Sequence, residues 1–102
     1  MTHEGPFGSA TSKNEYFEQN GTTYWGGSPH LRDLLIKNKQ RVVCNIHGHT
    51  HDGAFTVNIG SVEQPLTIIN PGSLKQAEFG EVTLKLNTHD KWEVAHSSKY
   101  YL

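Results

Sequence analysis

The chain has 102 residues, the length of one small domain or of part of a larger one, and its 34% of hydrophobic residues can build only a modest core. Nine basic and ten acidic residues leave a formal net charge of -1 without a basic stripe, which argues against nucleic-acid binding. No apolar run is long enough to cross a bilayer and the N-terminal residues lack the pattern of a signal peptide, so we expect a cytoplasmic protein without a membrane partner.

The first part of the chain, residues 4–28, is predicted to be a long irregular segment. It is rich in Gly, Ser, Thr and Asn and shows no helical or strand period, apart from a short helical turn expected near residues 15–19. Its interspersed aromatic residues argue against disorder, and a loop of this length in a small domain usually has a function.

One helix is predicted over residues 29–39. Ser28 can cap this helix by accepting a free backbone N–H of the first turn. Pro29 suits the first helical position, where no N–H is needed. Three leucines fall on one face, as in a helix that packs against a core: Leu31, Leu34 and Leu35.

Strands dominate the rest of the chain. Residues 42–46 are nearly all apolar, which predicts a central strand that is covered on both faces. Cys44 lies in this run and is interpreted as a small buried hydrophobe in a reducing compartment. Apolar or alternating patterns predict further strands at residues 55–59, 66–69, 82–86 and 92–96. Residues 87–90 join the last two strands as a predicted hairpin.

This order of elements predicts an α/β fold with one main helix followed mostly by strands. The helix that leads into a buried strand implies an α/β layer, and the later alternating strands imply an antiparallel extension. A central strand needs cover on both faces, whereas a single helix covers only one. We therefore expect the remaining cover to come from structure that precedes this sequence.

Two of the seven histidines, His49 and His51, directly follow the predicted buried strand in Gly48-His49-Thr50-His51. In extended backbone, residues two apart project to the same side, roughly 6–7 Å apart at their α carbons. That spacing suits two neighbouring metal ions about 3.5–4 Å apart. The alternative is that a histidine-rich chain produces this pattern by chance, as solvated loop residues.

The other histidines receive structural interpretations. His47 is expected to end the strand, and His30 and His89 are expected to lie at the surface. His96 is expected to be a partly buried histidine on the face that carries Trp92.

Three motifs occur in the order seen in calcineurin-like metallophosphoesterases: His3-Glu4-Gly5-Pro6, Gly48-His49-Thr50-His51 and Asn70-Pro71-Gly72-Ser73. In that family, a histidine at a strand end begins a His-x-x-Pro-like segment. A Gly-His-x-His motif follows after a helix and a strand, and an Asn-Pro-Gly-Ser turn comes next. The resemblance spans approximately residues 3–86. It implies that residues 1–102 are the C-terminal half of the family's two-sheet α/β sandwich.

The resemblance implies a dinuclear metal site that hydrolyses a phosphate ester. His3 and His49 match two ligands of one metal, and His51 matches a ligand of the other. Residues 70–73 match a structural turn near the site. The resemblance implies two divalent ions, for which imidazole ligands suit Zn, Mn or Fe. In the family, a metal-bridging water or hydroxide attacks phosphorus.

The chain also departs from the family. The Asp-x-His, Gly-Asp-x-x-Asp and Gly-Asn-His-Asp/Glu motifs, which precede the residue matching His3, do not occur in it. No catalytic residue is therefore assigned, and we expect the chain alone to be inert and to self-associate or bind a complementary N-terminal half. Tyr24 and Trp25 are candidates for lining the substrate cleft, with packing of their loop as the alternative. A second hypothesis is a non-catalytic binding or interaction module.

Overall fold

The computed structural model of the protein describes residues 1–14, 24–51 and 53–102. The described helices are one α-helix, α1 (Pro29–Lys37), and two short 3-10 helices, Ala10–Ser12 and Leu74–Gln76. The described strands are β1 (Lys13–Asn14), β2 (Tyr24–Trp25), β3 (Cys44–Ile46), β4 (Thr56–Asn58), β5 (Thr67–Ile69), β6 (Glu78–Leu86) and β7 (Trp92–Tyr101). Together they form a small mixed α/β domain, as predicted. None of the described helices is long and apolar enough to cross a membrane.

The central sheet has three strands in the order β3-β5-β4, with β3 parallel and β4 antiparallel to β5. The prediction that residues 42–46 form the central strand is therefore wrong. β5 lies in the middle, where Ile68 and Ile69 are buried, whereas Cys44 and Ile46 on β3 are only half-buried. Two short apolar runs look alike in sequence, and only their pairing decides which of them is central.

The N-terminal residues extend this sheet on the outer side of β3. Thr2 forms a parallel bridge with His47, and its backbone N–H donates to the carbonyl of Ile46 at 2.9 Å. The backbone N–H of Gly48 donates to the carbonyl of His3, also at 2.9 Å. These two bonds place His3 beside the carboxyl end of β3, the edge where ligand sites of α/β sheets lie.

The helix packs on the sheet through Leu35, which forms the buried core with Leu66 and Ile68. At its start, the Ser28 hydroxyl accepts a hydrogen bond from the backbone N–H of Leu31 at 3.1 Å, which confirms the predicted cap. The prediction for Leu34 is wrong, because its side chain is 59% exposed.

The helix also ends two residues earlier than predicted. Asn38 is the C-cap, and its side-chain amide donates to the carbonyl of Leu34 at 2.8 Å, in addition to the backbone N–H of Asn38 that this carbonyl accepts.

The C-terminal part is a long antiparallel hairpin of β6 and β7, which confirms the predicted hairpin and lengthens both strands. Asn87 organises its turn, since its side-chain oxygen accepts from the backbone N–H groups of His89 and Lys91 at 2.8 and 3.1 Å. Near this turn an apolar strip lies on one face of the hairpin and is largely exposed: Leu84, Leu86, Trp92 and Val94.

A β-bulge in the hairpin overturns the prediction for His96. Thr83 pairs with His96 but Leu84 pairs with Val94, so β7 contains one extra residue between these pairs. Because Thr83 and Leu84 point to opposite faces of β6, His96 lies on the face opposite Val94. Its side chain is exposed there, with Nε2 2.6 Å from the hydroxyl of Ser98.

The segment predicted to be irregular contains some regular structure. The 3-10 helix Ala10–Ser12 leads into β1, which pairs antiparallel with β2. The helical turn predicted near residues 15–19 lies outside the described residues.

Candidate metal centre

The structure brings His3 and His49 together at the carboxyl end of β3, although they are far apart in sequence. Nε2 of His3 lies 3.1 Å from Nδ1 of His49, and the two rings meet edge to face with their centroids 5.0 Å apart. Both side chains are exposed, so the pair opens to solvent. With both histidines neutral and no metal bound, the ring N–H of one can donate to the bare nitrogen of the other.

The distance between these two nitrogens suits a shared metal ion. Imidazole nitrogens bind zinc at about 2.0–2.1 Å, so two adjacent ligands of one ion lie about 2.9–3.4 Å apart in octahedral or tetrahedral geometry. The observed separation of 3.1 Å falls within this range. His3 and His49 could therefore act as two ligands of a single ion once the proton between them moves to the other nitrogen of its own ring, which leaves both facing nitrogens bare.

The backbone at His49 is unusual. Its φ is 66°, in the left-handed region that non-glycine residues rarely occupy. The backbone N–H of Thr50 donates to the carbonyl of Gly48 at 2.8 Å and closes a tight turn around His49. A conformation of this kind costs of order 1–3 kcal/mol and persists only where its surroundings fix it. The extended backbone on which the pairing of His49 with His51 was predicted is therefore absent.

His51 does not join the pair as a compact cluster. It is exposed in the turn after the buried Thr50. Across residues 1–14, 24–51 and 53–102, no group of three His, Cys, Asp or Glu side chains is close enough to hold a metal ion. The described residues thus place two candidate ligands side by side, without a third among them.

Glu78 contacts the Asn-Pro-Gly-Ser turn through a hydrogen bond from the backbone N–H of Ser73. The pKa of Glu78 is lowered, first by a hydrogen bond from the backbone N–H of Ser73 and next by one from Lys99. The charge of His51 makes the smallest contribution to this lowering of the pKa. Glu78 stays ionised and braces the Asn-Pro-Gly-Ser turn through Ser73.

His47 is a structural residue, in agreement with its predicted place at the strand end. It is 2% exposed, and burial lowers the pKa of its imidazole, which favours the neutral ring. Nδ1–H donates to the carbonyl of Gly48 at 2.8 Å, so Nε2 is the acceptor and receives the hydroxyl proton of Thr11, also at 2.8 Å. Thr11 in turn lies 2.6 Å from the hydroxyl of Ser9.

Asn70 joins three loops around the site, as a structural turn residue should. It is 1% exposed, and its amide nitrogen donates to the carbonyls of Thr11 at 2.9 Å and Thr50 at 2.5 Å. Its side-chain oxygen accepts from the backbone N–H of Gly72 at 3.1 Å. One buried side chain thus ties the loop of residues 9–12 and the Gly-His-x-His turn to its own Asn-Pro-Gly-Ser turn.

The remaining predicted residues fall in different places. The backbone of Tyr24 and Trp25 forms β2, but their side chains lie outside what the structure describes, so their place in a substrate cleft stays a prediction. His30 and His89 are exposed, as expected.

Sequence reasoning missed the buried hydroxyls of Ser9 and Thr11. They sit in a loop without a period, and no local pattern connects that loop to a histidine 36 residues further along the chain.

Comparisons of the chain with protein-family models, with curated proteins and with solved structures found no match. The resemblance to metallophosphoesterases therefore depends on its three motifs, and on what the residues of those motifs can do chemically.

Proposed function

We propose that this chain supplies histidine ligands to the dinuclear metal centre of a phosphoesterase, which hydrolyses a phosphate ester when a complementary N-terminal half is present. The observation that carries this proposal is the 3.1 Å separation of Nε2 of His3 and Nδ1 of His49. Two histidines 46 residues apart bring their ring nitrogens to the separation that two adjacent ligands of one ion have.

The chain's own residues have limited roles in this chemistry. His3 and His49 would hold one ion, and His51 would provide a ligand for the second. Bound metals of this kind acidify a bridging water and neutralise the charge that develops on the phosphoryl oxygens. The bridging carboxylate and the histidine that assists the leaving group would come from the complementary half, because the sequence lacks their motifs.

Metal binding to the chain tests the first step. Zinc titration followed by calorimetry is expected to show binding that His49→Ala and His3→Ala each weaken by about tenfold or more. His30→Ala is the matched control, since it removes an exposed histidine from the helix without touching the site. Equal zinc affinity in wild type and His49→Ala would contradict the proposal.

Turnover tests the second step. The chain alone should not hydrolyse an aryl phosphate, because removing even one preorganised charge-stabilising group can cost about a hundredfold in rate. Co-expression with a segment that carries the aspartate and Asn-His motifs should produce hydrolysis that His49→Ala abolishes. Hydrolysis that persists in His49→Ala would show that this histidine takes no part.

A second candidate is a binding module without catalysis. The absence of any three-ligand group among the described residues favours it, since two imidazoles hold a metal only loosely. This candidate predicts weak zinc binding and no turnover with any complementary half. Turnover in the presence of a complementary half therefore distinguishes the two candidate functions, whereas zinc affinity does not.

A further inference from the structure

We infer that His47 and Thr11 form a buried positioning pair that fixes the conformation of His49 and thereby the approach of His49 to His3. Only the effect on zinc affinity that we expect from this pair rests on the proposed function. The hydrogen bonds and the contact between His3 and His49 belong to the metal-free chain.

The first step is the isolation of the pair from solvent. Thr11 is 0% exposed and His47 2% exposed, so water does not compete for their hydrogen bond. The donor and the acceptor of each hydrogen bond made by His47 can be assigned. The carbonyl of Gly48 can only accept, so Nδ1 of His47 carries the proton and Nε2 accepts from Thr11. Ser9 completes the chain, since its hydroxyl accepts from the backbone N–H of Thr11 and is free to donate to Oγ1 of Thr11.

The second step connects this chain to His49. The carbonyl of Gly48 belongs to the peptide that leads into His49, and it accepts from both Nδ1 of His47 and the backbone N–H of Thr50 at 2.8 Å. The N–H of Gly48 donates to the carbonyl of His3. Gly48 is thus held at both its N–H and its carbonyl. These bonds fix the plane of the peptide that precedes His49, and the φ of 66° at His49 follows from that plane.

The third step is the shape of the space around the imidazole. A β carbon added to Gly5 would overlap the ring of His47 and the hydroxyl of Ser12. The His-x-x-Pro segment therefore needs glycine at this position to admit His47. Ser12 is buried without a hydrogen-bond partner among the described groups, so in this structure its hydroxyl does not share the donation to His47 with Thr11.

A matched pair of variants tests the inference. Thr11→Val removes the hydroxyl and keeps the shape, whereas Thr11→Ser keeps the hydroxyl. In the metal-free protein, Thr11→Val should lose the nuclear Overhauser contact between the rings of His3 and His49, and Thr11→Ser should retain it. Zinc affinity should fall by up to about 10-fold in Thr11→Val, the lower end of the effect of losing a direct partner of a ligand because Thr11 acts on His49 only through His47 and Gly48, and recover in Thr11→Ser.

The wild-type protein provides a test that needs no variant. Nitrogen-15 spectra of the imidazoles should show His47 as the Nδ1–H tautomer with a bare Nε2. An Nε2–H tautomer would overturn the inference, as would a Thr11→Val protein that is folded and keeps both the ring contact and the zinc affinity. If wild type binds no zinc, the proposed function fails, while the ring contact and the tautomer still decide on the positioning pair.

Discussion

Replacement of Asn70 by alanine should destabilise the fold strongly, because this side chain satisfies two buried carbonyls at once. Its amide nitrogen bonds the carbonyls of Thr11 and Thr50, and both residues are buried. In Asn70→Ala these oxygens lose their donor inside the protein. A buried polar group left without a partner costs about 1–3 kcal/mol, so two such groups should lower the free energy of unfolding by about 2–6 kcal/mol.

This loss is a large fraction of the roughly 5–15 kcal/mol by which native proteins are typically stable, so Asn70→Ala should unfold at a much lower urea concentration than wild type. Urea denaturation followed by tryptophan fluorescence measures the effect. Asn38→Ala is the control, because the Asn38 amide also donates to a backbone carbonyl, that of Leu34, but lies at the exposed end of the helix. We expect Asn38→Ala to cost less than about 1 kcal/mol.

Asn70→Asp sharpens the same test. Aspartate has the shape of asparagine but replaces the donating nitrogen with a second acceptor that faces two carbonyl oxygens. At pH 7 it should be less stable than Asn70→Ala, and acidification should recover part of the loss as the carboxyl gains a proton to donate. An Asn70→Asp protein as stable as wild type at pH 7 would refute the assigned hydrogen bonds.

Three further predictions concern other parts of the molecule. Burial lowers the pKa of His47, so the unfolded chain binds its proton first, and stability should fall as the pH drops below the unfolded value of about 6.5. Urea midpoints at pH 7.5 and 5.5 measure this, and a His47→Gln protein with the same pH dependence would contradict it. Ile68→Ala should cost about 2–5 kcal/mol because Ile68 is fully buried, whereas Ile68→Val should cost about 0.5–1.5 kcal/mol, and equal urea midpoints would contradict this packing. Serine in place of Leu86 and Trp92, which are 51% and 58% exposed, should reduce dye binding and self-association with little loss of stability, and unchanged sedimentation would place the association elsewhere.

The elements with strong local signals could be predicted from the sequence. Ser28 and Pro29 marked the start of the helix, and their hydrogen-bonding roles require nothing beyond the first turn. The hairpin turn at residues 87–90 was equally local, because the Asn87 side chain bonds backbone groups only two and four residues away. The order of their motifs predicted that His3, His49 and His51 converge; the structure brings His3 and His49 into contact, and His51 does not complete a group of three with them.

The predictions that were wrong concern features that neighbouring residues in the sequence do not determine. The order β3-β5-β4 depends on pairing between distant strands, so the apolar run at residues 42–46 could not reveal that β5 and not β3 is the middle strand. One extra residue in β7 reversed the face of His96, and alternation of side chains gives no warning of a bulge. The left-handed backbone at His49 arises from contacts around Gly48, and it replaced the extended conformation assumed for Gly-His-x-His.

Assembly through the proposed metal site and assembly through the exposed apolar strip of the hairpin should respond differently to zinc. If a complementary half adds ligands to the ion held by His3 and His49, zinc and that half must each raise the other's affinity by the same factor. His49→Ala should then abolish the effect of zinc on assembly. If Leu84, Leu86 and Trp92 draw copies together only by burying apolar surface, association should be insensitive to zinc and to His49→Ala. Sedimentation of wild type and His49→Ala, each with and without zinc and the complementary half, distinguishes the two. Zinc-independent assembly with the complementary half would refute the shared coordination shell.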